Sequence, residues 1–107
     1  MLNDVQFVEA YRKLSERVLK ASNDENQQIT ILWRLAVRRK PRPDELTAAR
    51  KLLGAEQARM RSKPEEVKRL LALGVSPRDA SIDPVKLAAM TVVTAGVMNT
   101  PDAYTLR

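Results

Sequence analysis

Apolar residues recur at helical spacing in five stretches of this chain, and no stretch alternates as a strand would. The first carries Phe7, Tyr11, Leu14 and Val18 at i, i+4, i+7 and i+11, with Val8 beside them and Asn3 or Asp4 as N-cap. Glu9, Arg12, Lys13, Glu16, Arg17 and Lys20 fall largely outside that face, so the helix expected over 4–21 turns them to solvent. Ile29, Leu32, Trp33, Ala36 and Val37 form the cleanest stripe, on a second helix expected over 25–39. Pro41 stops it, because a residue before proline is pushed out of the α region.

Pro43, Asp44 and Glu45 open a third helix, 43–61, with Leu46, Ala49, Leu53 and Met60 on its apolar face and a place to bend at Gly54. Ser62 to Glu65 reads as a capping box for a short fourth helix that carries Val67, Leu70 and Leu71 and ends at Gly74. After the irregular stretch 74–83, Asp83 caps and Pro84 starts a fifth helix that runs to about Met98. From Leu87 to Pro101 there is no charged side chain, and a helix apolar on nearly every side is normally buried on nearly every side. The pattern predicts one all-α domain over 1–107: five helices in a compact bundle, with one ordered loop before the last. Leu32, Trp33 and Val37 should meet Leu53, Leu70 and Leu87 in its core. Trp33 would also suit an interface anchor, but its place on the stripe favours the core.

Composition narrows the chemistry. The 107 residues contain neither cysteine nor histidine, which removes disulfides, thiolate nucleophiles, cysteine zinc sites and the commonest general base and metal ligand. No hydrophobic run is long enough to span a bilayer, and the start MLNDVQFVEAYRK lacks the apolar segment of a signal peptide. Adjacent carboxylates (Asp44 and Glu45, Glu65 and Glu66) point apart on a helix and suit first-turn dipole partners better than a shared proton site. Asp79 and Asp83 flank the irregular loop, yet two carboxylates are too few for a calcium site. The sequence thus predicts no catalytic group, no metal and no cofactor within this chain.

A net charge of +6 directs attention to Arg34, Arg38, Arg39, Lys40 and Arg42, five cations within nine residues. One reading is a phosphate or acidic-partner patch, which would make this a small basic nucleic-acid-binding domain. The other has Arg38 to Lys40 finishing a helix against its dipole while Arg34 pairs with a carboxylate such as Glu45. No aromatic residue interleaves with the cluster, and two prolines occupy the turn after it, so the second reading is preferred and nucleic acid is not the expected partner. In the loop, Arg78 and Asp79 are expected to pair internally, with a solvent-facing recognition loop as the rival.

The segments FVEAYRKLSERVL, ILWRLAVRRKPRPDELTAARKLL and LLALGVSPRDASIDPVKLAAMTVVTAGVMNTPDAY, in that order, resemble the C-terminal region of the planctomycete domain-of-unknown-function family 1553. The likeness rests on Leu2, Asn3 and Asp4, on Trp33, Arg34 and Leu35, on Pro41, Pro43, Asp44 and Glu45, and on Gly74, Pro77, Arg78 and Asp79. It continues through Asp83, Pro84, Leu87, Ala88 and Ala89. Met90 stands where the family carries a bulky aromatic, and Arg42 where it carries a threonine-like cap. The resemblance implies the C-terminal module of a large, exported multidomain protein, often with an upstream cytochrome-c-like domain. It brings no activity, and leaves open an accessory role in an active site formed by upstream domains.

Helix five adds one further expectation. Four short helices should cover only part of it, leaving some of Val92, Val93, Ala95, Val97 and Met98 outside the local core. Val93 and Val97 are therefore expected on a face that docks against upstream domains of the parent protein or a second copy of this chain.

Overall fold

The computed structural model describes residues 5–100, and within them every regular element is an α-helix. The chain order is α1 (Val5–Ala21), α2 (Glu25–Ala36), α3 (Pro43–Arg61), α4 (Pro64–Leu71) and α5 (Pro84–Met98). The all-α, five-helix expectation is met. The N-cap at Asn3 or Asp4 and the far end of the uncharged run at Pro101 lie outside the described residues.

Local signals account for most boundaries. Asp24 caps α2 by accepting from the Asn26 N–H at 2.9 Å, and Asp83 caps α5 by accepting from Lys86 at 3.1 Å. Helix α2 ends three residues earlier than expected. Arg38 takes a left-handed conformation (φ 67°), and the N–H groups of Val37 and Arg38 both reach the Trp33 carbonyl, at 2.7 and 3.1 Å. Such a cap closes a helix without glycine at a cost of about 1–2 kcal/mol. Arg38, Arg39 and Lys40 therefore lie beyond the helix and do not complete its dipole.

Helix α3 runs through Gly54 uninterrupted, with that glycine on its exposed side. The expected Ser62 capping box is absent: the Ser62 hydroxyl donates back to the Arg59 carbonyl at 2.8 Å, closing α3, and Lys63 stands at the α4 N-cap. Helix α4 ends at Leu71, so Gly74 (φ 94°) turns the loop and does not cap the helix. Arg42 has no acceptor to offer α3, but Glu45 reaches back to its N–H at 2.8 Å.

Helix α5 is the central post, packed chiefly on α1 and α3 and also on α4 and α2. One core cluster joins Val18, Ile29, Leu32, Trp33, Val37, Leu53, Met90 and Val93; the other joins Met60, Val67, Leu71, Leu87 and Ala88. The expected leftover face is therefore corrected. Val93 and Val97 are only 1% and 5% exposed, Ala95 is buried, and Val92 and Met98 are half-buried against the two clusters. Four neighbours share the circumference, and alanines at 88, 89 and 95 present small surfaces to them. Leu70 is half-buried at the edge of the second cluster instead of central.

The buried arc of α1 is rotated from the expected one. Val8, Tyr11, Arg12, Ser15 and Val18 face inward, while Phe7 is 58% exposed and stacks on Tyr11 with ring centroids 6.3 Å apart. Ser15 can sit inside because its hydroxyl donates to the Tyr11 carbonyl at 2.8 Å and lies 2.8 Å from the buried Thr94 hydroxyl. No helix among the described residues is long and apolar enough to cross a membrane. Truncating Trp33, buried in the first cluster, to alanine should cost about 3–5 kcal/mol, measured by urea unfolding.

Candidate functional site

Three charged side chains of α1 hold the irregular loop by its backbone. Glu9 accepts from the N–H groups of Val75 and Ser76 at 3.1 and 2.6 Å, and Glu16 accepts from that of Asp79 at 2.9 Å. Between them Arg12 donates to the Ser76 carbonyl at 2.6 Å, to that of Pro77 at 3.5 Å and to Glu16 at 2.7 Å. The Arg12 side chain is 1% exposed. Positions 9, 12 and 16 lie on one helical face. The loop is thus bound along its length to a single rigid element.

Gly74 permits this approach. Its φ of 94° favours glycine, and a Cβ there would collide with the Glu9 side chain. The N–H of Ser76, joined by that of Val75, holds the Glu9 carboxyl below its usual range. Asp79 does not pair with Arg78 as expected. Its carboxylate meets Lys20 and accepts from the Ser81 hydroxyl at 2.6 Å and backbone N–H at 2.9 Å, which keeps it strongly ionised. Arg78 points elsewhere, and its Nη1 is buried with no hydrogen-bond partner.

At the other end of the molecule's basic cluster, Glu45 is the convergence point. Arg39 grips it bidentately at 2.8 and 2.9 Å, and Arg42 adds a contact of 3.0 Å. The expected Arg34–Glu45 pair does not form; Arg34, Arg38 and Lys40 are exposed. The Arg39 hydrogen bonds, helped by the Arg42 N–H, lower the Glu45 pKa to about 2. This carboxylate is ionised at neutral pH and unsuited to donate a proton.

Two grooves stand out on the surface of the described residues. The larger, about 620 Å³, lies between the end of α3, α4, the loop and the start of α5, with Val67, Leu71 and Val85 in its wall and Arg78 at its edge. The smaller, about 330 Å³, lies between α3 and the second half of α5. Trp33, Val93 and Val97 form its floor, Glu45 stands at one side, and Leu52 stays 40% exposed beside it. Two sets of candidates from the sequence thus meet here: Val93 and Val97 directly, and Arg39 and Arg42 through Glu45.

The α1 clamp was not foreseen. Arg12 and Glu16 at i, i+4 read as an ordinary surface pair, and their loop partners lie more than sixty positions away. Comparison with protein-family models, curated proteins and solved structures finds no match for this chain.

Replacing Arg12 with alanine should cost about 3 kcal/mol or more, since it leaves the partly covered Glu9 and Glu16 carboxylates without their cation. Hydrogen exchange at Val75, Ser76 and Asp79 should accelerate in that variant. A second test uses pH. The Glu45 pKa is depressed on folding, so its contribution is complete above the ordinary value of 4.5 and is lost as pH falls toward about 2. Glu45→Gln should therefore be less stable than the parent chain at pH 7, with the difference shrinking between pH 4.5 and 2 in urea titrations.

Proposed function

We propose that this chain is a non-catalytic interaction module, and that the α3–α5 groove is its seat for a neighbouring domain of a larger exported protein. The observation that carries the reading is Leu52, a large apolar side chain left 40% exposed beside a groove floored by Trp33, Val93 and Val97. Ala48 and Gly96, both exposed on the walls, leave room for a partner backbone to approach closely. An apolar anchor over a preformed floor is the pattern of a protein contact. The multidomain, exported setting is supported by the resemblance to the planctomycete family. That Glu45 is held ionised between guanidiniums favours binding over proton transfer.

Nucleic acid is not the partner inferred. Arg39 and Arg42 are committed to Glu45, which leaves Arg34, Arg38 and Lys40 as the exposed, uncommitted part of the cluster. Affinity for duplex DNA at physiological salt should be no tighter than about 10⁻⁴ M, by fluorescence anisotropy.

The docking test titrates this chain into the remainder of the parent protein by calorimetry. Leu52→Glu and Gly96→Leu should each weaken association at least tenfold while leaving the circular dichroism of the chain unchanged. Undiminished binding by both variants would remove the groove from the contact. Concentration-dependent self-association that Leu52→Glu abolishes would assign the seat to a second copy instead.

A further inference from the structure

We infer that the larger groove is a binding site for a linear carboxylate with an aliphatic tail, of the free-fatty-acid class. It is a different surface from the α3–α5 seat and rests on different residues. At about 620 Å³ it falls within the range of roughly 300–1,000 Å³ typical of small-molecule sites.

The chemistry of the lining selects the ligand. Met60, Val67, Leu71 and Val85 supply aliphatic walls, and no aromatic ring lines the groove to stack on a planar ligand. The only charged residues in the lining are Arg61, Lys68 and Arg78, with no carboxylate to repel an anion. An apolar trough edged by cations alone complements an apolar tail with one negative head.

Arg78 is the head-group partner. It lines the groove, is half-buried, and is held by no carboxylate among the described residues, its covered Nη1 included, so its guanidinium is free to turn to a carboxylate entering the groove. Lys68 is already drawn toward Glu65, 3.9 Å away on the exposed side of α4. Arg78 itself sits on the stretch of loop clamped to α1, between Pro77, whose carbonyl accepts from Arg12, and Asp79, whose N–H donates to Glu16. The groove wall is therefore ordered before any ligand arrives, so binding does not have to order it. Val75, 95% exposed at the rim, provides apolar surface that a tail can cover.

The test uses dodecanoate, dodecanol and dodecyltrimethylammonium with the whole chain, each below its micelle threshold, followed by methyl and guanidinium NMR. Dodecanoate should shift the methyl signals of Val67, Leu71 and Val85 and the Arg78 guanidinium signal. Dodecanol should bind at least tenfold more weakly, and the cationic amphiphile more weakly still, since a hydrogen bond to a charged group is worth about that factor or more. Across decanoate, dodecanoate and tetradecanoate, affinity should rise about fourfold for each methylene. Arg78→Gln should reduce dodecanoate to the level of dodecanol, and Lys68→Gln should change it less than threefold. Equal binding of carboxylate and alcohol, shifts confined to residues outside the groove, or no shifts up to the solubility limit would each overturn the assignment. An Arg78→Gln chain that retained full preference for the carboxylate would do so as well.

Discussion

Taking the Arg12 guanidinium out of water would cost several kcal/mol if it stood alone, and the chain offsets that cost with two carboxylates and two loop carbonyls. The arrangement is reciprocal. The same two carboxylates accept from the N–H groups of Val75, Ser76 and Asp79, so five backbone groups of the loop find partners on one helix. A segment without repetitive structure must satisfy its backbone somewhere, and here α1 takes the place of a neighbouring strand. The wall of the larger groove, the entry to α5 and the placement of Arg78 all follow from that attachment.

The helices were legible in the sequence because their signals are local. The stripe from Ile29 to Val37, the cap at Asp83, and the prolines at 43, 64 and 84 act within one or two turns of the residues they organise. Where the reading went astray, a distant partner decided. Phe7 is the more apolar choice for the inner face of α1, yet Arg12 and Ser15 lie there because Ser76, Pro77 and Thr94 meet them. The sequence assigns Arg39 to the end of α2, and Arg34 to a carboxylate such as Glu45. The left-handed turn at Arg38 swings the chain so that Arg39 reaches it, and that conformation has no signature in a non-glycine residue.

The candidate sites were less legible than the fold for a related reason. Val93 and Val97 were singled out as exposed, when the structure puts them at the bottom of a groove whose rim belongs to α3. Apolar character marks both a core position and a groove floor, and only the neighbour's shape separates them. The cations divide in the same manner. Arg39 and Arg42 are held by a carboxylate, and Arg78 is half-buried with its Nη1 unsatisfied.

The tie between α1 and the loop also bears on how the chain folds. Helical bundles fold quickly when their contacts are local in sequence. Here Glu9 meets Ser76 across 67 positions and Ser15 meets Thr94 across 79, so the first helix has its decisive partners in the last third of the molecule. Until α4, the loop and α5 are in place, Arg12 and Ser15 have only the partners that α1 itself offers, the Glu9 and Glu16 carboxylates and the Tyr11 carbonyl. Bringing these partners together closes a loop of more than sixty residues, whose cost in chain entropy precedes the hydrogen bonds it allows.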